Sequence, residues 1–235
     1  MSVYTVEGNI GSGKTTLVAE LQNLKFDKPH IVVFEQVKEW GEVKDENGVD
    51  ILSLFYKDKK KYSYIFQSYV LFSRLSHIMK VIKENPNHII ITERCHLTDL
   101  YVFAKTLYES GDINSMEWSV YNMWHKQLKE IFNLEIKGTI YLNTSPETCY
   151  ERIKKRNRNA EEGIPLEYLR KLHDKHNEWI LKRPIKQENV SWFSLHKDFI
   201  GAVLELDGNI DLYNYEDRQR QKKLIQEFIN YESKF

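Results

Sequence analysis

Cysteine is scarce. Cys95 and Cys149 are the only two, too few for a disulfide framework and in keeping with a reducing compartment, with both thiols expected to be buried and structural. Net charge is absent as well. Thirty-four acidic residues balance thirty-four basic ones, so no overall field draws the chain to nucleic acid or to an acidic membrane, and charge must act through local clusters. No apolar run approaches the length that crosses a bilayer. An apolar strand is expected from residue 3, which leaves no room for a signal or transit peptide. Together these absences read as a soluble, cytoplasmic protein with neither a membrane nor a nucleic acid as partner. Five prolines and ten glycines are all that punctuate 235 residues. With no repeat, low-complexity stretch or linker, a single domain over 1–235 is expected, long enough to bury about 70% of its unfolded surface.

What is present begins at the N-terminus. The apolar run Val3-Tyr4-Thr5-Val6 leads through Glu7 into Gly8-Asn9-Ile10-Gly11-Ser12-Gly13-Lys14-Thr15, followed by Thr16-Leu17-Val18-Ala19-Glu20-Leu21. A strand, a G-x-x-x-x-G-K-T turn and a helix in that order form a phosphate cradle. Its glycines let successive backbone N–H groups face one anion, Lys14 adds a point charge for the β- and γ-phosphates, and the Thr15 hydroxyl can hold Mg²⁺. A nucleoside triphosphate, ATP or another, is the ligand this pattern calls for, bound by residues 8–16.

Short apolar runs recur at 3–6, 31–34, 89–92, 139–142 and 202–206, with helical stretches between them. This alternation predicts an α/β fold with a five-stranded parallel sheet flanked by helices; Ile89-Ile90-Ile91 is the clearest two-sided buried strand. Residues 59–83 hold no Gly or Pro and carry apolar residues at helical spacing, so a long helix is expected, stopped near Asn85-Pro86. A second helix is expected over 116–132. Its apolar residues exceed one core face, which admits either burial on two sides or a helix-bundle contact between two copies of the chain.

Phosphoryl transfer needs a phosphate grip, a metal, an oriented nucleophile and cations for the transferring group. In a parallel sheet, ligands sit beyond the carboxyl ends of the strands. Phe34-Glu35 ends the second strand and Glu93-Arg94 the third, so both should face the crevice that holds the cradle. Glu93 can support Mg²⁺ with Thr15, and Glu35 beside Arg94 can accept a proton from a hydroxyl. Arg152, Arg156 and Arg158 fall within seven residues, together with Lys154 and Lys155, on a helix expected after Ser145-Pro146-Glu147. Near the sheet mouth they can clamp triphosphate oxygens; away from it they would be a solvated face. No Asn-Lys-x-Asp guanine signature is present.

Several motifs together resemble one family. Glu7-Gly8-Asn9-Ile10, Phe34-Glu35-Gln36-Val37 with Trp40, Phe66-Gln67-Ser68-Tyr69 with Arg74, Glu93-Arg94 followed by Asp99, and Arg156-Asn157-Arg158-Asn159 leading into Gly163-Ile164-Pro165-Leu166-Glu167-Tyr168-Leu169 are similar to the deoxynucleoside kinases of the deoxycytidine kinase and deoxyguanosine kinase type. The likeness runs from about residue 3 to 183, weakens across 186–201 as if by insertion, and resumes loosely at Leu206-Asp207-Gly208-Asn209. It implies a P-loop kinase fold with an Arg-rich lid at about 152–163, a deoxynucleoside substrate and a homodimer. By the same resemblance, Lys14, Glu35 and Arg94 are catalytic, with Glu35 as general base for the sugar 5′-hydroxyl. Glu93 and Thr15 serve Mg²⁺, and Arg152, Arg156 and Arg158 close over the donor. Tyr56 and Glu161 hold the sugar 3′-hydroxyl, Gln67 reads the base edge, Trp40, Phe66 and Phe103 wall the pocket, and Asp211 lies by the donor base.

A Gln side chain presents a donor and an acceptor side by side, which suits a Watson–Crick edge. Arg74, two turns beyond Gln67, can pair with Asp99 at the pocket floor, where an exocyclic amino group or a purine N7 would satisfy the pair and a thymine methyl would not. The resemblance places this pair in the deoxycytidine and deoxyguanosine branch, whereas Val70 is similar to the insect multisubstrate enzyme. Deoxycytidine or purine deoxynucleosides are therefore expected over thymidine. Two other readings share these motifs: a nucleoside monophosphate kinase of the thymidylate type, disfavoured because Glu35 would repel the acceptor phosphate, and a non-catalytic nucleotide-binding subunit, disfavoured because Lys14, Thr15, Glu35, Glu93 and Arg94 are all present.

Overall fold

A computed structural model describes residues 2–158, 161, 163–181, 201–211 and 214–233. The divergent segment 186–200 and positions 159, 160 and 162 of the expected lid lie outside the described residues. Five strands form one parallel sheet in the order β2-β3-β1-β4-β5: β1 (Ser2–Glu7), β2 (His30–Val33), β3 (Ile89–Glu93), β4 (Gly138–Asn143) and β5 (Ala202–Asp207). Each expected strand is present within a residue or two of its expected bounds.

The side chains of these strands alternate between two cores. Tyr4, Val6, Ile89, Ile91, Ile140 and Leu142 pack against Leu17, Val18 and Leu21 of α1 (Lys14–Leu21) and against Ile225 and Ile229 near the C-terminus. Val3, Ile90, Tyr141 and Val203 face the other way, into a larger core. Burial on both faces is why the strands read as continuous apolar runs rather than alternating ones.

The larger core is closed by α2 (Val37–Trp40), α3 (Ile51–Lys57), α4 (Lys59–Glu84), α5 (His96–Thr98), α6 (Lys105–Glu109), α7 (Ser115–Phe132), α8 (Pro146–Arg156) and α9 (Leu166–His176); α10 (Tyr215–Glu232) covers the smaller one. Helix α4 starts where the Asp58 carboxylate accepts the Lys61 N–H, and ends at Asn85 just before Pro86. Its buried stripe is Ser63, Phe66, Gln67, Val70, Leu71, Arg74, Leu75, Ile78 and Ile82. Helical spacing thus carries three polar residues, Ser63, Gln67 and Arg74, inward on the same face.

Helix α7 is capped by Asn114 and Glu117 in a reciprocal box. Only Tyr121, His125 and Leu128 are buried, while Met116, Met123, Trp124 and Ile131 are exposed. Burial on two sides within one chain, one of the two readings of its sequence, is therefore not what happens. The neighbouring α4 also exposes Ile65 and Phe72.

Candidate active site

The loops that follow β1, β2 and β3 open at one end of the sheet, around a cavity of about 670 Å³. After β1 the chain turns through Gly8, Gly11 and Gly13, all at positive φ (150°, 77° and 100°). Side chains would not fit there: a Cβ on Gly8 would lie 2.8 Å from the Leu142 carbonyl oxygen, and one on Gly11 would lie 2.6 Å from the Cys149 carbonyl oxygen and 2.9 Å from Ile153. The turn is pinned by the Asn9 amide, which donates to the Leu169 carbonyl at 2.8 Å. Lys14 is buried and its ammonium donates to the Asn9 carbonyl at 2.7 Å. Burial, with the nearby Arg94, brings the Lys14 ammonium down to a pKa of about 8. The Thr15 hydroxyl donates to Glu93 Oε1 at 2.7 Å, so the two residues expected at the metal meet in the structure.

Glu93 ends β3, and Arg94 follows it in the left-handed region at φ 64°. A non-glycine residue is strained there and must be held in place. Two bonds hold it: Arg94 N donates to the Val6 carbonyl at 3.1 Å, and the Thr92 hydroxyl donates to the Arg94 carbonyl at 2.9 Å. The turn aims the guanidinium across the cavity over the Phe103 ring at 4.8 Å, with Nε 3.3 Å from Glu35 Oε1. Among the described residues its Nε and Nη1 are both buried without a hydrogen-bond partner, the contact with Glu35 being an ion pair.

Helix α5 widens directly into a π-helical stretch, Asp99–Ala104. Such wide turns re-aim side chains and recur at functional sites. Here Asp99 and Phe103 both reach the cavity. Asp99 pairs with Arg74 through Nε at 2.9 Å and Nη2 at 3.2 Å, as the sequence suggested. Arg74 also donates from Nη1 to the Glu93 carbonyl at 3.3 Å and from Nη2 to Glu35 Oε1 at 2.9 Å. This last bond was not foreseen. Burial alone would raise Glu35, but Arg94, Arg74 and Lys14 together hold it down at about 2. Burial pushes Asp99 up to about 6 against the pull of Arg74.

The remaining wall is aromatic and amide. Trp40 meets Phe66 edge-on at 5.8 Å, and Phe55 stacks on Phe66 at 4.8 Å. Gln67 is buried and its Oε1 has no hydrogen-bond partner among the described residues. Tyr56 and Glu161 line the same cavity, as do Arg156 and Arg158. Both arginines pair with Glu161, Arg158 at 3.6 Å.

Arg152 departs from its expected place. It does not line the cavity; its guanidinium donates to the carbonyls of Ser12 (3.0 Å), Gly208 (2.8 Å) and Ile210 (2.7 Å). It braces the phosphate turn against the loop after β5, where Asp211 also lies. Arg152 and Arg156 both belong to α8 and differ in their partners: backbone carbonyls take Arg152, and Glu161 takes Arg156.

Sequence reading passed over Gln36, His77 and Tyr168, which also line the cavity. It also gave no role to Glu7, which is wholly buried and accepts hydrogen bonds from Thr5 (2.6 Å) and Thr98 (2.8 Å), burial raising its carboxyl. A carboxylate at the end of the strand, directly before the glycine turn, was the available signal for it.

A sequence model of the deoxynucleoside kinases matches residues 4–230. The chain belongs to the deoxynucleoside kinase family. Human deoxycytidine kinase is 39% identical over 77% of this chain and 76% of its own length, and the rat enzyme is 35% identical over 96% and 90%. The mitochondrial deoxyguanosine kinase of Xenopus laevis is 35% identical over 76% and 73%. A deoxynucleoside kinase is a phosphotransferase that draws on a nucleoside triphosphate. The five-stranded parallel sheet with flanking helices agrees with the expected P-loop kinase fold of this family. Among the described residues no helix is long and apolar enough to cross a membrane.

Proposed function

We propose that this deoxynucleoside kinase transfers the γ-phosphate of ATP to the 5′-hydroxyl of a deoxynucleoside, with deoxycytidine and the purine deoxynucleosides favoured over thymidine. One observation carries the reading: Glu35, Arg94, Arg74 and Lys14 converge in a single cavity whose far wall is an aromatic and amide pocket. Glu35 accepts the 5′-hydroxyl proton while that oxygen bonds to the γ-phosphorus and the bond to the β-phosphate oxygen breaks. Arg94 holds Glu35 and the hydroxyl in line. Lys14 and the backbone of residues 8–16 grip the donor phosphates, and Arg156 and Arg158 exchange Glu161 for the charge of the transferring group.

The donor set at Thr15 and Glu93, one hydroxyl and one carboxylate, fits a Mg²⁺ ion that takes its other ligands from phosphate and water. That ion would neutralise charge building on the phosphates. Gln67, with its buried unpartnered oxygen, reads the base edge; Arg74 and Asp99 form the pocket floor; Trp40, Phe66 and Phe103 sandwich the ring; Tyr56 and Glu161 hold the 3′-hydroxyl. Asp211 stands by the donor base, with Arg152 as brace rather than clamp. We take residues 1–235 as one kinase domain acting in the cytoplasm. It pairs into a homodimer through the exposed apolar residues of α4 and α7, which a single copy leaves in water. A dimer mass in light scattering at micromolar protein is expected; a monomer would refute the pairing.

The deciding experiment is a labelled phosphate-transfer assay with Mg²⁺-ATP, the four deoxynucleosides and their monophosphates. Product from deoxycytidine or purine nucleosides ahead of thymidine is expected. Equal use of thymidine would remove the Arg74–Asp99 assignment, and product from monophosphates alone would overturn the acceptor.

A further inference from the structure

Arg74 carries five N–H groups, and four of them are committed: two to Asp99, one to the Glu93 carbonyl and one to Glu35 Oε1. The group that touches Glu35 sits on Nη2, the same nitrogen that completes the fork on Asp99. Arg74 belongs to the buried face of α4, one helical face with Gln67, whereas Glu35 comes from the loop beyond β2. One guanidinium therefore spans the part of the cavity that meets the base and the part that meets the reacting hydroxyl.

From this geometry we propose that Arg74 is a positioning residue that latches Glu35 until a nucleoside is seated. This rests on the deoxynucleoside reading above. An acceptor atom on the incoming base takes the Nη2 hydrogen, and Glu35, released from Arg74 but still beside Arg94, turns to the 5′-hydroxyl. Recognition of one end of the substrate thereby frees the base that acts at the other. With no nucleoside present, a carboxylate held between two guanidinium groups is a poor acceptor for a water proton, so the latch also protects the donor from hydrolysis. The charged and titratable groups around Glu35 are Arg94 after β3, Arg74 on α4, Lys14 on α1, Asp99 in the π-helical stretch and Tyr56 on α3. Among the described residues only Arg74 and Arg94 form ion pairs with it, and of the two Arg74 alone hydrogen-bonds it.

Two measurements test the latch. Calorimetric binding of 2′,5′-dideoxycytidine and 2′,5′-dideoxyadenosine, which lack the hydroxyl that Glu35 would serve, is compared between the wild type and Glu35→Gln. The latch predicts at least fivefold tighter binding to Glu35→Gln, since no ionised carboxylate must be displaced from Arg74; equal or weaker binding overturns it. Independently of any ligand, carbon-13 NMR follows the Glu35 carboxyl in the free protein, assigned by its loss in Glu35→Gln. In Arg74→Lys, which keeps the charge but loses the fork, its titration should move up by a unit or more. An unmoved carboxyl refutes the latch. If neither nucleoside binds, the substrate reading falls, and the free-protein titration still decides whether Arg74 governs Glu35.

Discussion

The two ends of the cavity hold their charges in opposite ways. At the nucleoside end, Arg74, Asp99 and Arg94 are 5%, 1% and 3% exposed, and the two arginines hold the partly exposed Glu35 by direct contact. At the lid end, Arg156 and Arg158 are 33% and 47% exposed and share one carboxylate, Glu161. Buried pairs lose several kcal/mol when one partner is removed, whereas exposed pairs contribute about 0–1 kcal/mol. The difference separates two tasks. On the proposed function, the Arg74–Asp99 fork is fixed before substrate arrives while Glu35 can turn, and the lid end is cheap to open, so that phosphate can replace Glu161 without unmaking the fold.

The sharpest break in that contrast is Glu35→Gln, which should lower turnover by about 10²–10⁴-fold and, by taking the anionic partner from two buried arginines, also lower the thermal midpoint while leaving the protein folded. Full activity, or loss of folding, would give Glu35 another role. Next comes Arg74→Met, which strands Asp99 without its cation and should cost about 3–5 kcal/mol in urea unfolding. Adding Asp99→Asn should restore much of that; a single variant within about 1 kcal/mol of wild type would mean the nucleoside end is as solvated as the lid.

Arg156→Ala should show the reverse pattern, with stability unchanged within about 1 kcal/mol and turnover down by about ten- to a hundredfold, the worth of one charge-assisted bond in the transition state. The smallest effect is one of pH. Lys14 loses its proton near pH 8 in the folded chain and only near 10.5 when unfolded. Between those values the unfolded state binds more protons, so stability rises with pH while the phosphate grip weakens. From pH 7 to 9, calorimetry with a non-hydrolysable ATP analogue should show affinity falling by up to about tenfold. Flat affinity would place the ammonium outside the phosphate contacts.

Much of this molecule is legible in its sequence for physical reasons that differ by element. The strands are read correctly because burial on both faces leaves no alternation to misjudge, and α4 because Asp58 and Pro86 bracket an uninterrupted helical pattern. The Arg74–Asp99 pair follows from helical spacing plus the chemistry of a buried arginine. The Arg74–Glu35 bond does not, because it depends on how far the loop after β2 folds back, and no spacing rule encodes that. Nor does a periodic pattern announce the π-helical widening at 99–104 that turns Asp99 and Phe103 inward. Arg152 and Arg156 look alike in sequence and are told apart only by their tertiary partners, the loop after β5 for one and Glu161 for the other.

Gly11 has a meaning beyond the conformation it permits. The missing side chain lets the phosphate turn lie directly on the backbone of α8 at Cys149 and on Ile153, so that helix is a bearing surface on which the turn rests. A substitution at position 11 would press on α8, from whose end the lid departs, as much as on the phosphate turn itself.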